Sequence, residues 1–443
     1  MKYPDPMSNS AQLYERALRV LPGGNTRQTV FWKPYPIYAR SGRGPWVIDE
    51  DGVERLDFIN NYTSLIHGHA HPTVVDAVVK QVRLGASFAM PTREEVTLAE
   101  VICERLTSAE RVRFTNSGTE AVMLALKIAR AYTGRPKIAK CEGAYHGMYD
   151  PVEVSLSPSP AEWGDGDPVA HASVKGMPRG VHDDVVVIPF NDVDAGQRII
   201  SAHAAELAAV IVDPLPRRVG LVPATPEFLT ALRNVTTKHG IVLVFDEVIS
   251  FRLGFRGAQG EMGVEPDLTT LGKIIGGGFP VGAVAGRLDL MSVVDPRTGR
   301  PDLPHAGTFN GNPVSMAAGI ATLGLLTRQA FDRLDELGEH VRARLRASLS
   351  AAGVAGHVTG LGSLFDLHLG TNEPRDYRSG RPTAPDAARL EALFVNLLNA
   401  GFLFTPDGFG SLSTVLTELD VERFADAVAE GLRSSPLVAA SRT

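Results

Sequence analysis

Two stretches of this chain are apolar without interruption, Leu207-Ala208-Ala209-Val210-Ile211-Val212 and Ile241-Val242-Leu243-Val244-Phe245. A strand with one wet face alternates polar and apolar residues, whereas an unbroken run belongs to a strand covered on both faces. Between the two, Thr225 to His239 reads as a helix. Thr225-Pro226 supplies its N-cap and first position, and Gly240 its left-handed stop. Strand, helix and strand make a βαβ unit, the building block of a mostly parallel sheet. Shorter runs, Val112-Arg113-Phe114 and Lys137-Ile138-Ala139-Lys140-Cys141, bracket a helix-forming stretch from Ala121 to Arg130. After Pro313 the pattern changes to long amphipathic helices, including Phe331 to Ala352, and then to short strands. The expected class is therefore α/β, with a mostly parallel sheet sandwiched by helices in a large domain, 66–314. A smaller α+β domain is expected from 315–443, with the N-terminal segment 1–65 contributing to it.

Composition narrows the class of molecule. A chain of 443 residues exceeds a single compact core, so two domains are the default. Hydrophobic residues make up 44% and mean hydropathy is −0.01, the balance of a globular chain. A net charge of −6 argues against a nucleic-acid or anionic membrane partner. The two cysteines, Cys103 and Cys141, form no disulfide framework and show no metal-ligand spacing. Met1-Lys2-Tyr3-Pro4-Asp5-Pro6 lacks the apolar core of a signal peptide, and no run reaches membrane-spanning length, so a cytoplasmic location is expected.

The chemistry starts at Lys273, in Leu271-Gly272-Lys273-Ile274-Ile275-Gly276-Gly277-Gly278. An amine in nearly charge-free surroundings has its charged form disfavoured, which frees a nucleophile. Upstream, the run Val244-Phe245 ends in Asp246. A nucleophilic lysine and a carboxylate are what pyridoxal phosphate needs, one for its carbonyl and one for its ring nitrogen. Each alone is equally an ordinary loop lysine and a strand-end acid. Phe114-Thr115-Asn116-Ser117-Gly118-Thr119 places two hydroxyls and a glycine at a helix N-terminus, where free N–H groups attract phosphate. No Walker lysine follows, which disfavours a nucleotide P-loop. Glu142-Gly143-Ala144-Tyr145-His146-Gly147 follows a strand and puts an aromatic face where parallel sheets bind ligands, with Val248 available for the opposite face of a ring.

Taken in order, these stretches resemble the class III (fold type I) pyridoxal-phosphate aminotransferases along almost the whole chain. The likeness is greatest to the branch containing glutamate-1-semialdehyde aminomutase and the β-amino-acid transaminases. It is carried also by Leu21-Pro22-Gly23-Gly24-Asn25-Thr26-Arg27, Gly68-His69-Ala70-His71-Pro72, Ser87-Phe88-Ala89-Met90-Pro91-Thr92 and His305-Ala306-Gly307-Thr308-Phe309-Asn310-Gly311-Asn312-Pro313. The resemblance implies that Lys273 bonds the cofactor and shuttles a proton, and that Asp246 pairs with the pyridine nitrogen. It implies that Ser117, Gly118 and Thr119 hold the phosphate, that Tyr145 and Val248 sandwich the ring, and that His146 belongs to the same cofactor loop. Thr308 would reach the phosphate of the other subunit, so the implied active unit is a homodimer with shared sites.

Residues 151–184 break the alternation of strands and helices with Ser157-Pro158-Ser159-Pro160 and Trp163-Gly164-Asp165-Gly166-Asp167-Pro168. Long irregular loops serve as lids or lie apart as surface insertions. Because this one directly follows the Tyr145 loop, it is expected to cover the active site.

Substrate choice is carried by fewer residues. Arg27 lies where the related enzymes place a carboxylate-binding arginine, and its fork suits a carboxylate. Asp407 stands where the β-amino-acid enzymes carry a second arginine, and an acid cannot serve that role. In Asp213-Pro214-Leu215-Pro216-Arg217-Arg218, Pro216 removes a side-chain donor that relatives often carry, while Arg217 and Arg218 add charge. The expected function is amino transfer between an amino acid or amine and a keto acid. An intramolecular aminomutase and a racemase are the alternatives.

Overall fold

The computed structural model describes residues 2–434. Three short strands, β1 (Ala39–Arg43), β2 (Trp46–Asp49) and β3 (Glu54–Asp57), form an antiparallel sheet near the N-terminus. The central sheet holds β4 (Arg111–Thr115), β5 (Lys137–Cys141), β6 (Val185–Ile188), β7 (Leu207–Val212), β8 (Val242–Asp246), β9 (Leu268–Gly272) and β10 (Gly282–Gly286). Its spatial order is β4-β10-β9-β8-β7-β5-β6. Only β10 runs against its neighbours; the pairs β6–β5, β5–β7, β7–β8 and β8–β9 are parallel.

The unbroken apolar runs have the physical cause inferred from the sequence. Val210, Val212, Leu243 and Phe245 pack with Phe228, Leu229 and Leu232 of the helix Pro226–His239 on one face. Ala209, Ile211, Val242 and Val244 pack with Ala121, Leu124 and Ile128 of the helix Gly118–Thr133 on the other. Each fully buried Val or Leu contributes about 1.5–3 kcal/mol, so a polar residue on either face would be costly. The helix between β7 and β8 begins as its sequence dictates. The Thr225 hydroxyl accepts from Phe228 N, and Gly240 closes the far end at φ 60°.

After the helix Pro313–Leu325, which packs on Pro72–Leu84 and Arg93–Arg105, the chain builds a second layer. The long helix Arg328–Ala352 packs against Glu418–Ser434 and supports β11 (Gly356–Thr359), β12 (Leu364–Leu369) and β14 (Phe409–Ser411). A two-residue strand, β13 (Phe402–Leu403), pairs in parallel with β3 and joins the N-terminal sheet to this C-terminal part. Buried Arg252 ties the layers together. It donates to the Thr63 carbonyl, the Ser363 hydroxyl and the Leu412 carbonyl.

The segment 151–184 is irregular apart from short helical turns at Asp150–Glu153, Pro160–Glu162 and Arg179–Asp183. It is pinned to the chain around it. The buried Ser155 hydroxyl donates to Val169 O at 2.9 Å and accepts from His171 N at 2.9 Å. Arg378, from the loop 371–383, donates to both Glu142 carboxylate oxygens at 2.7 and 3.1 Å and to Trp163 O at 2.7 Å. Tyr377 and Arg381 both donate to Pro158 O.

Candidate active site

All the parallel strands release their chain at one edge of the central sheet, where open α/β sheets place ligands. Thr115 leads there into Ser117, Cys141 into Tyr145, and Val212 into Asp213; β8 ends at Asp246 and β9 runs into Lys273. Parallel pairing sets Asp246 directly opposite Thr270.

Lys273 opens a short turn, Lys273–Gly276, at φ 50°. A non-glycine residue in that region is strained and persists only where its surroundings hold it. Burial lowers the pKa of its amine, Asp246 and Asp213 oppose that shift, and the Arg217 charge reinforces it. The amine is thereby brought toward the neutral, nucleophilic form.

Asp246 is buried and held at both oxygens. Its Oδ1 accepts from Thr270 Oγ1 at 3.0 Å and Val248 N at 3.2 Å, and its Oδ2 lies 2.7 Å from His146 Nδ1. His146 is fully buried. Its Nε2 is buried without a hydrogen-bond partner among the described residues. With Nδ1–H donating to the carboxylate, the histidine fixes the direction in which Asp246 points.

The candidate phosphate cradle is the N-terminus of Gly118–Thr133, capped by Ser117, whose hydroxyl accepts from Glu120 N at 3.2 Å. First-turn N–H groups have no intrahelical acceptor, so those of Gly118 and Thr119 are available to an anion. The surroundings leave no room for a larger residue. A Cβ on Gly118 would stand 3.0 Å from both Val248 methyls, and one on Gly147 would stand 2.8 Å from Thr119 Cα. Val248 thus packs on the cradle floor, while Tyr145 is 47% exposed on the opposite loop. A flat ring with a phosphate arm fits this set: small residues where the arm approaches, a carboxylate of fixed direction, and a nucleophilic amine. Thr308 is exposed, and its side chain makes no hydrogen bond among the described residues.

Two buried acids here were given no role by the sequence, Asp213 and Glu247. Asp213 is buried at the end of β7, and burial, then the Asp246 charge, push its carboxyl above the ordinary range. Glu247 is buried and accepts from Ala258 N, Gln259 N and Gln259 Nε2, which anchors the turn behind Asp246. Arg27 is exposed and donates to Asn61 Oδ1 at 2.7 Å. It lines a mostly apolar pocket of about 290 Å3 with Tyr62 and Val30. Arg217 and Asp407, read separately as departures from relatives, form one ion pair at 2.6 Å. Arg218 donates to the Ser157 hydroxyl.

The fold and this site suit a carbonyl cofactor with a phosphate arm: a half-buried lysine to meet its carbonyl and a helix N-terminus to meet its phosphate. Residues 30–419 match the family model "Aminotransferase class-III", and the chain belongs to that family. It is 40% identical to a β-phenylalanine transaminase of Variovorax paradoxus, over 96% of this chain and 93% of that protein. It is equally 40% identical to a glutamate-1-semialdehyde 2,1-aminomutase of Methanopyrus kandleri, over 98% of this chain and 99% of that protein. The crystal structure of an omega-transaminase from Sphaerobacter thermophilus superposes with a TM-score of 0.95 at 54% identity, covering 97% of this chain and 98% of that one. The fold is that of the fold type I pyridoxal-phosphate transferases. The cofactor of this enzyme is pyridoxal 5′-phosphate, and its class of reaction is amino transfer. Among the described residues, no helix is long and apolar enough to cross a membrane.

Proposed function

We propose that the chain moves an amino group from a carboxylated amino donor to a keto acid, with Lys273 and Asp246 as its catalytic residues. The likeness to a β-phenylalanine transaminase supports a β-amino acid as donor. The carrying observation is the pairing of a half-buried lysine at φ 50° with a buried carboxylate held at both oxygens, on adjacent strand ends. Bound, the cofactor supplies a carbonyl carbon and an electron-withdrawing ring. Lys273 would serve as the base that takes the proton from the substrate carbon bearing nitrogen. Asp246, its direction set by His146 and Thr270, would keep the ring nitrogen protonated. Ser117, Gly118 and Thr119 would hold the phosphate, and Tyr145 and Val248 would hold the ring. Arg27 orients the donor carboxylate.

In this reading Thr308 completes the phosphate site of a neighbouring copy, and the active unit is a twofold dimer. Support comes from Val75, Val79, Val82 and Leu84 on one helix, with Phe88 and Met90 just after it and Phe309 next to Thr308, all large, apolar and exposed. The proposed division is 1–65 and 315–443 for the small domain and 66–314 for the large one, with 151–184 as a cover strapped down through Arg378. A cytoplasmic location completes the proposal.

The aminomutase relative at equal identity favours a second reading, transfer within one molecule. Donor and acceptor supplied separately decide between them. Transfer between molecules converts the cofactor stoichiometrically to its amine form with donor alone, and a keto acid restores it. Net conversion of a single substrate with no acceptor would favour the mutase.

A further inference from the structure

Glu142 carries a buried carboxylate to which the chemistry above gives no task. It follows β5 directly and stands just before Tyr145 and His146. Arg378, 236 positions further along the chain, donates to both of its oxygens at 2.7 and 3.1 Å. A carboxylate taken out of water is tolerated where a paired charge and hydrogen bonds offset the loss of solvent. The start of the Tyr145 loop is therefore tied to a guanidinium from the C-terminal part of the chain. The next residue is tied to the same place. Gly143 has φ 72°, and a Cβ built on it would run into the Tyr377 ring. That ring lies directly against the Gly143 backbone, where only glycine fits. Tyr377 is buried and packs in one cluster with Cys141 and Ala144.

The far end of the stretch is pinned from the cradle. Gly147, at φ 94°, leaves no room for a Cβ beside Thr119, and Met148 N donates to Thr119 Oγ1 at 3.3 Å. Between the two pins stand exposed Tyr145 and buried His146, the latter bonded to Asp246. Tyr377 and Arg378 also reach segment 151–184 with their remaining groups. Arg378 donates to Trp163 O and Gly166 O, and its guanidinium lies 5.3 Å from the Trp163 ring centroid. Pro158 O accepts from three donors, Trp163 Nε1, Tyr377 Oη and Arg381 Nη1, at 3.1, 3.1 and 2.8 Å. Each of the two residues thus has two attachments. The Tyr377 ring and part of the Arg378 fork hold the Tyr145 loop; the Tyr377 hydroxyl and the rest of the fork hold segment 151–184.

We propose that Tyr377 and Arg378 are positioning residues: from the C-terminal part they fix the backbone of Glu142 and Gly143, and through it the places of Tyr145 and His146 at the cofactor. The proposal rests on the reading of Tyr145 as the residue that holds the ring. Neither Tyr377 nor Arg378 needs to touch the cofactor for this. A short stretch pinned at both ends has few backbone conformations left, so little further order must be gained when the cofactor binds. With the Tyr377–Arg378 pin removed, the stretch is held only at Gly147 and through the His146–Asp246 bond. Tyr145 then loses its fixed place first, because it is exposed and has no partner of its own to direct it.

Substitutions at Tyr377 separate the two attachments. Tyr377→Phe removes the hydroxyl on Pro158 and leaves the ring on Gly143, whereas Tyr377→Ala removes both. Two signals read the effect without turnover: amide hydrogen exchange across 142–147 in the apoenzyme, and circular dichroism of the cofactor absorbance band in the holoenzyme. Tyr377→Phe should leave both as in the parent chain. Tyr377→Ala should quicken exchange across 142–147 about tenfold and lower the band to roughly half. Arg378→Lys keeps a charge but cannot span both Glu142 oxygens and Trp163 O, so it should move both signals in the same direction. In turnover, Tyr377→Ala and Arg378→Lys should lower kcat and leave the donor KM within about threefold, since the contacts of the substrate itself are untouched. Equal changes in Tyr377→Phe and Tyr377→Ala would mean that Tyr377 serves segment 151–184 alone, and would overturn the proposal. So would a lower melting temperature in Tyr377→Ala and Arg378→Lys with exchange and band both unchanged. Should Tyr377→Ala fail to fold, Arg378→Lys decides by the same two signals. Failure of the ring reading shows separately, as a cofactor band unchanged by Tyr145→Ala, while exchange across 142–147 still decides whether Tyr377 and Arg378 hold the loop.

Discussion

His146 Nδ1 and Asp246 Oδ2 lie 2.7 Å apart, two buried side chains from positions 100 residues apart in the chain. The pair gives Asp246 a fixed direction and predicts graded losses. Asp246→Asn should retain cofactor but lower turnover on the order of a hundredfold, because the ring nitrogen loses its acidic partner. His146→Ala should cost about tenfold, the effect of one hydrogen bond to a charged group. Single-turnover kinetics at neutral pH measure both. Near-normal rates in Asp246→Asn would remove it from the ring-partner role.

Burial lowers the Lys273 amine below an ordinary lysine, and nearby charges set by how much. Only the neutral amine attacks a carbonyl. Reconstitution of apoenzyme with cofactor should therefore quicken as pH rises and level off at a midpoint below the ordinary lysine value of about 10.4. Asp246→Asn removes an opposite charge and should move the midpoint down; Arg217→Ala removes a like charge and should move it up. Stopped-flow reconstitution across pH checks the order, and reversed shifts would contradict it.

Thr308→Ala should weaken cofactor binding by about tenfold through the loss of one hydrogen bond to phosphate. That effect requires the neighbouring copy, so sedimentation and activity should fall together on dilution. A monomer with full activity would exclude the shared site.

Arg27→Ala should lower kcat/KM for carboxylated donors by roughly two orders of magnitude and leave simple amines nearly untouched. Equal losses for both donor types would instead assign Arg27, through Asn61, to supporting the fold around Tyr62.

Local features were legible in the sequence, and long-range pairings were not. The unbroken run Leu207–Val212 announced a doubly covered strand, and Thr225-Pro226 with Gly240 marked both ends of a helix. Asp246 and Lys273 stood out because each ends an apolar run at a strand end. Strand order is different in kind. Nothing local says that β10 runs against its neighbours, or that β3 pairs with β13 across the whole chain. For the same reason His146 was read as one loop residue among several, with no sign of its Asp246 partner. Arg217 and Asp407, 190 positions apart, could be noticed only as two separate oddities. The fold makes them a pair.

The central claim is that Lys273 is the amine that bonds the cofactor. Reduction of the holoenzyme with borohydride fixes that bond, and peptide mass mapping then locates it. The label should fall on Lys273 alone, and Lys273→Ala should take up none while keeping its fold by circular dichroism. Label on another lysine, such as the buried Lys140, or normal turnover by Lys273→Ala, would contradict the account.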